Sequence, residues 1–302
     1  MKRNNSSKIG DIQDNGSTPK DTPAADAAAG MMPNTGISYI APTEHVTLPS
    51  HGVFYPSGHV LEGVDTLEIK QMTAKEEDIL TNASYIKNGT VLDKLLNSLV
   101  VEDFDLDSMT IGDKNALLVA ARASAYGNEY EASVSCPHCT AKNEVTMDLN
   151  EVLDVSPPDF DHMPDGCEFD PERKTIRIVL PRSRLEFELR PRLGADDTDL
   201  QQKRKKLKKL KLKSQSSSMI ESFTQVTLSI DGNSETHHIR KTIESLPAFD
   251  FRYLRNCYQN NMPDINLHTF MECTACGAEE VVSVPMNADF FWPDLRVSKR
   301  RV

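Results

Sequence analysis

Two Cys-x-x-Cys pairs, Cys136-Pro137-His138-Cys139 and Cys273-Thr274-Ala275-Cys276, constrain this chain more than any other feature. A spacing of two residues lets both sulfurs of a turn face one ion, and two such turns complete a tetrahedral shell of thiolates. The pairs stand 133 residues apart. An ion held by both therefore joins distant segments, and the entropy of closing so long a loop grows only slowly with its length. In a reducing cytoplasm this spacing favours thiolate–metal chemistry over cystines. The reading is one structural zinc ion on Cys136, Cys139, Cys273 and Cys276, in a shell that leaves no position open for water or substrate. His138 and His268 are spare ligands that four cysteines make unnecessary. Cys257 lies in an apolar helical pattern with Leu254 and Tyr258 and reads as a small core residue, whereas Cys167, in a loop rich in Pro, Asp and Gly, carries no assigned role.

The surroundings of the two pairs match. Tyr130 to Ser135 and Val145 to Leu149 alternate as strands around the first pair, which makes it a knuckle on a hairpin. At an offset of 137, Asp113 and Leu117 align with Asp250 and Leu254, the first cysteine pair with the second, and Val145, Met147 and Leu149 with Val282, Val284 and Met286. Earlier in the chain, Leu67-Glu68-Ile69-Lys70 aligns with Phe187-Glu188-Leu189-Arg190 at an offset of 120, each ahead of an acidic helix start. The fold class expected is α+β, with two pseudo-repeats of strands and helices that each end in a CxxC hairpin and share a zinc ribbon. Residues 1–38, rich in Ser, Asn, Asp, Gly, Pro and Ala, read as a disordered tail. The first repeat then covers 39–150 and the second 151–302, with the 17 extra residues of the second placed in a basic loop at 201–218.

Local signals fill in the helices. Thr73 followed three residues later by Glu76 is a capping box. Val91, Leu92, Leu95, Leu96 and Leu99 share one helical face, and Leu117, Leu118, Ala121 and Ala125 mark another helix that Gly127 can close as a left-handed cap.

A formal charge of −11 argues against broad adhesion to nucleic acid or anionic membrane. No apolar run is long enough for a membrane span and the N-terminus has no signal-type apolar core, so the chain is expected to stay in the cytoplasm. The run Lys203 to Lys213, which includes Lys205, Lys206, Lys208 and Lys209 with Leu207, Leu210 and Leu212 interleaved, reads first as a solvated and partly helical loop. Its functional reading is a contact for an acidic protein surface. An alternative is a zinc-ribbon nucleic-acid binder using residues 203–213, although the run lacks stacking aromatics. Catalytic motifs are missing: there is no Gly-rich phosphate loop, no HExxH and no nucleophile elbow. The carboxylates Glu76, Glu77 and Asp78 are those a helix dipole attracts to its first turn. His237 and His238 follow a turn and are unremarkable, and Phe290, Phe291 and Trp292 form an aromatic cluster that closes a core or meets a partner.

The segments Leu48-Pro49-Ser50-His51-Gly52-Val53-Phe54-Tyr55-Pro56 and Met72-Thr73-Ala74-Lys75-Glu76-Glu77-Asp78-Ile79-Leu80 resemble the T-even-type phage baseplate hub subunits and hub-assembly chaperones. Supporting likeness runs through Asp231-Gly232, Leu246-Pro247, Tyr253-Leu254-Arg255 and the CxxC pairs, covering most of residues 46–290. The resemblance implies a non-enzymatic protein that binds baseplate hub and tape-measure proteins during tail assembly. It places the chain in the cytoplasm of the infected bacterium and leaves retention in the virion open. Because they lie in the two resembling motifs, Phe54, Tyr55, Glu76, Glu77 and Asp78 are the first candidates for partner contacts, with Lys205, Lys206, Lys208 and Lys209 of the basic run beside them.

Overall fold

The computed structural model describes residues 41–209, 218–284, 286 and 288–291. The tail assigned to residues 1–38, residues 210–217 of the basic segment, and Trp292 lie outside them. Strand β1 (Thr43–Thr47) pairs antiparallel with β2 (Thr66–Lys70), setting Val46 opposite Leu67. The connecting loop doubles back so tightly that the Gly63 N–H reaches the Gly52 carbonyl at 3.1 Å. At Gly52, φ is +70° and a Cβ would fall 2.3 Å from the Val64 nitrogen, so glycine is required there.

Helix α1 (Ala74–Thr81) starts on the capping box of Thr73 and Glu76. After α2 (Ala83–Asn88), α3 (Val91–Leu99) buries Val91, Leu95, Leu96 and Leu99 of the predicted stripe and leaves Leu92, at its edge, half-buried. Helix α4 (Ile111–Tyr126) is buried continuously from Ala116 to Ala123, its alanines letting neighbours approach on several sides. It does not end in the expected left-handed cap. Gly127 has φ 93° and ψ 164°, and its carbonyl accepts from the Arg122 guanidinium at 2.9 Å, so a side chain takes the place of the turn. Strands β3 (Glu129–Ser135) and β4 (Lys142–Asp148) form the first CxxC hairpin, with Tyr130, Ala132 and Val134 facing inward, and α5 (Leu149–Leu153) follows.

The second half builds a larger sheet than the first. Strands β5 (Cys167–Asp170), β6 (Thr175–Val179) and β7 (Glu186–Leu189) pair in order, and β8 (Thr227–Ile230) adds to β7. Between β7 and β8 lie α6 (Gly194–Lys209) and α7 (Ser218–Val226), so most of the basic run is helix. Then come α8 (Thr236–Ser245), α9 (Ala248–Asn261), the second CxxC hairpin of β9 (His268–Glu272) and β10 (Glu279–Ser283), and a 3₁₀ turn at Ala288–Phe291. The fold is α+β, with small antiparallel sheets. No helix among the described residues is long and apolar enough to cross a membrane.

Two apolar cores exchange pieces across the chain. One gathers residues from Val46 to Val152 together with Met271, Cys273, Val282 and Val284 of the second hairpin and Phe290 and Phe291. The other packs Ile176, Ile178, Phe187, Leu189, Leu254 and Cys257, and it takes in Phe54 from the first half.

Each long helix that precedes a cysteine pair buries an aspartate in its first turn. Asp113 accepts from the Ser50 N–H at 2.9 Å, the Ser50 hydroxyl at 2.6 Å and the Tyr55 hydroxyl at 2.6 Å. Asp250 accepts from the Arg182 and Ser183 N–H groups at 3.1 and 2.8 Å. The donors follow Leu48-Pro49 in one case and Leu180-Pro181 in the other, at the turn after β1 and after β6. The same local device thus appears twice, inside sheets of different size.

Candidate metal centre

Each knuckle is shaped by its own backbone. In the first, the Cys136 N–H bonds the Ala141 carbonyl and the Thr140 N–H bonds the Cys136 carbonyl, both at 2.9 Å. In the second, Cys273 with Ala278 and Gly277 with Cys273 repeat those bonds at the same lengths. The residue after each pair is left-handed, Thr140 at φ 62° and Gly277 at φ 69°. These turns bring all four sulfurs within 4.8 Å of one another. Cys136 and Cys276 lie 3.8 Å apart and Cys139 and Cys273 3.5 Å apart. A tetrahedral ion with metal–sulfur bonds of about 2.3 Å separates its ligands by about 3.8 Å, so the set fits one ion. Cys136 and Cys273 are buried, while Cys139 and Cys276 sit at the rim.

The sulfurs differ electrostatically. The N–H groups of Cys276 and Ala275 point at Cys273 and pull its thiol down to about 6. The Ala141 N–H favours the Cys139 thiolate, but hydrogen bonds with the sulfurs of Cys273, Cys276 and Cys136 outweigh it and push that thiol up to about 12. Thiolates this close repel one another, and a cation among them removes the conflict.

Spacing did not reveal Asn143. It is buried on β4 in the inward register of Val145 and Met147, and its amide crosses to the other knuckle. Its Oδ1 accepts from the Thr274 N–H at 2.9 Å and the Thr274 hydroxyl at 3.0 Å, while Nδ2 donates to the Ala141 carbonyl at 3.1 Å and approaches Cys273 Sγ at 3.5 Å. A polar residue on the apolar face of an alternating strand is the signal that marks it. Replacing Asn143 with leucine keeps the bulk and deletes these bonds, and it is expected to weaken metal affinity about 10- to 100-fold. Competition with a chromophoric chelator measures this, and unchanged affinity would refute the role.

The other predicted residues are placed differently. His138 pairs with Glu280 at 3.5 Å and His268 with Asn266 at 3.0 Å, both outside the sulfur set. Phe54 and Tyr55 are 4% and 1% exposed, so both rings are turned into the cores. Phe54 stacks edge-on to Phe160 and Phe169 at 5.8 and 5.3 Å. Glu76 is buried too, taking up the Thr73 N–H and the Thr73 and Ser98 hydroxyls. Glu77 and Asp78 are exposed. Lys205 is exposed and bonds the Asn88 carbonyl, and the side chains of Lys206, Lys208 and Lys209 lie outside the described residues. Cys257 is buried as its pattern predicts, and the neighbouring Cys167 side chain favours its thiolate and lowers its pKa.

The family model described as T4 bacteriophage base plate protein matches residues 43–292, which span both hairpins and both cores. The chain belongs to that family. A search of curated proteins and one of solved structures each returned no match. The matched span of this base plate protein covers all four cysteines, Asn143 and both buried aspartates.

Proposed function

We propose that this base plate protein is a non-enzymatic hub subunit or hub-assembly factor that holds one structural zinc ion and binds hub and tape-measure proteins. The observation that carries this reading is the family match over residues 43–292. Four thiolates in tetrahedral reach suit zinc, and a closed shell gives the ion no substrate position. Its role is then to fix two hairpins 133 residues apart, so that the surfaces they carry are preorganised for assembly. Glu77, Asp78 and Lys205 remain accessible for partner contacts. The nucleic-acid alternative is weaker, because the chain carries a formal charge of −11 and the basic run lacks stacking aromatics. On this reading the protein acts in the host cytoplasm and in the baseplate.

Pull-down from infected cells, with metal quantified on the same sample, tests the proposal. Recovery of hub and tape-measure proteins with about one zinc per chain, both lost in Cys136→Ser, is the expected result. Recovery of nucleic acid without tail proteins would overturn it.

A further inference from the structure

The two hairpins allow an internal comparison. At the 137-residue offset their cross-strand pairs coincide: Ser133 opposite Glu144 and Ser135 opposite Lys142 in the first, Phe270 opposite Val281 and Glu272 opposite Glu279 in the second. All eight side chains lie on exposed positions of the outer faces. At these four positions the first hairpin is polar, with one cation, Lys142, and one carboxylate, Glu144, while further along its outer face Glu129 stands opposite Asp148. The second puts Phe270 and Val281 side by side at 61% and 63% exposure, next to two carboxylates that face each other across the strands. Carboxylates directly opposite repel, and among the described residues neither Glu272 nor Glu279 has an ion-pair partner. Since the first hairpin folds with Ser and Glu where the second has Phe and Val, the architecture does not require these residues.

An open groove of about 530 Å³ adjoins Val281, lined by Ser133, Val134, Ser135 and Pro137 on one side and Glu280 to Ser283 on the other. Among the described residues, strands β3 and β10, which border it, each pair on one side only. Backbone N–H and C=O groups along such edges accept an added strand.

We propose that the outer face of the β9–β10 hairpin is the docking surface for an extended segment of another base plate protein that carries an apolar side chain beside Lys or Arg. The apolar side chain covers Phe270 and Val281, and the cation sits between Glu272 and Glu279 and relieves their repulsion. That the partner is a base plate protein rests on the family reading; the chemistry of the segment rests on this face alone.

The test uses the full chain and the double variant Phe270→Ser, Val281→Glu, which gives the second hairpin the residues the first already folds with. A labelled eight-residue peptide alternating lysine and valine is titrated against both proteins by fluorescence anisotropy, with a glutamate–valine peptide as control. Saturable binding of the lysine peptide to the wild type, at least tenfold weaker in the double variant and missing for the glutamate peptide, supports the docking face. Equal binding to both proteins, or none to the wild type, overturns it. If sedimentation shows a wild-type dimer that the variant loses, the occupant is a second copy and the proposed partner is wrong. In pull-downs, base plate proteins recovered by the wild type and lost by the double variant support the proposal, and equal recovery by both overturns it. Recovery of none by the wild type would sink the family-based partner, while the peptide titration still decides the chemistry of the face.

Discussion

Replacing Asp113 with alanine is expected to destabilise the protein by about 3–5 kcal/mol, because a buried acceptor is removed from beneath several donors at once. The carboxylate takes the Ser50 N–H, the Ser50 hydroxyl and the Tyr55 hydroxyl, all in the buried interior. Tyr55 in turn accepts from the Thr110 N–H at 3.1 Å, so its ring bridges the first loop to the start of α4. Burial first, and then the negative charge of Asp113, push the Tyr55 phenol up, which keeps it protonated and able to donate. Without the carboxylate, three donors lose their partner in a space closed to water, at about 1–3 kcal/mol each before relaxation. Asp113→Asn keeps one acceptor oxygen and the shape, so a smaller loss of about 1–2 kcal/mol is expected. Urea denaturation of both variants measures the difference, and an alanine variant within about 0.5 kcal/mol of wild type would refute the argument.

The same network explains what was legible in the sequence and what was not. Local rules are written in neighbouring residues: the Thr73–Glu76 capping box, the α3 stripe and the alternation around each cysteine pair all needed only their own segment. Phe54 and Tyr55 belong to a distinctive motif, but residue type does not say which way an aromatic ring points. Their partners, Phe160 and Phe169 for one and Asp113 for the other, lie 58 or more residues away. Asp113 and Asp250 were visible as aligned positions, yet their role depends on turns that close on them from Ser50 and from Arg182 and Ser183. Glu76 shows the converse. Its helix-start position was readable, but burial under Ser98 withdraws it from the surface that Glu77 and Asp78 still offer. The four-stranded sheet was missed because β8 is separated from β7 by two helices, and strand pairing over such a distance leaves no local mark.

If the four cysteines hold the proposed zinc ion, its chelation is expected to lower the thermal midpoint by roughly 8–16 °C. An ion present at a thousandfold excess over its dissociation constant contributes about 4.1 kcal/mol to a folded state that alone binds it. For a domain of this size each kcal/mol moves the midpoint by about 2–4 °C. The loss is not confined to the knuckles, since Met271, Cys273, Val282 and Val284 of the second hairpin sit in the core built on the first half of the chain. Freeing that hairpin opens the core to water from one side, where the Asn143 amide alone then spans the gap to Thr274. Differential scanning calorimetry with a zinc-selective chelator, and again after adding zinc back, measures the effect. Full recovery with zinc and none with magnesium is expected, because thiolates bind the softer ion. Cys273→Ser should show the lowered midpoint from the start and no response to chelator. A midpoint that moves by less than about 2 °C on chelation would mean that the four sulfurs hold no ion that matters to the fold, and that hydrogen bonding through Asn143 with packing of the second hairpin suffices to join the halves.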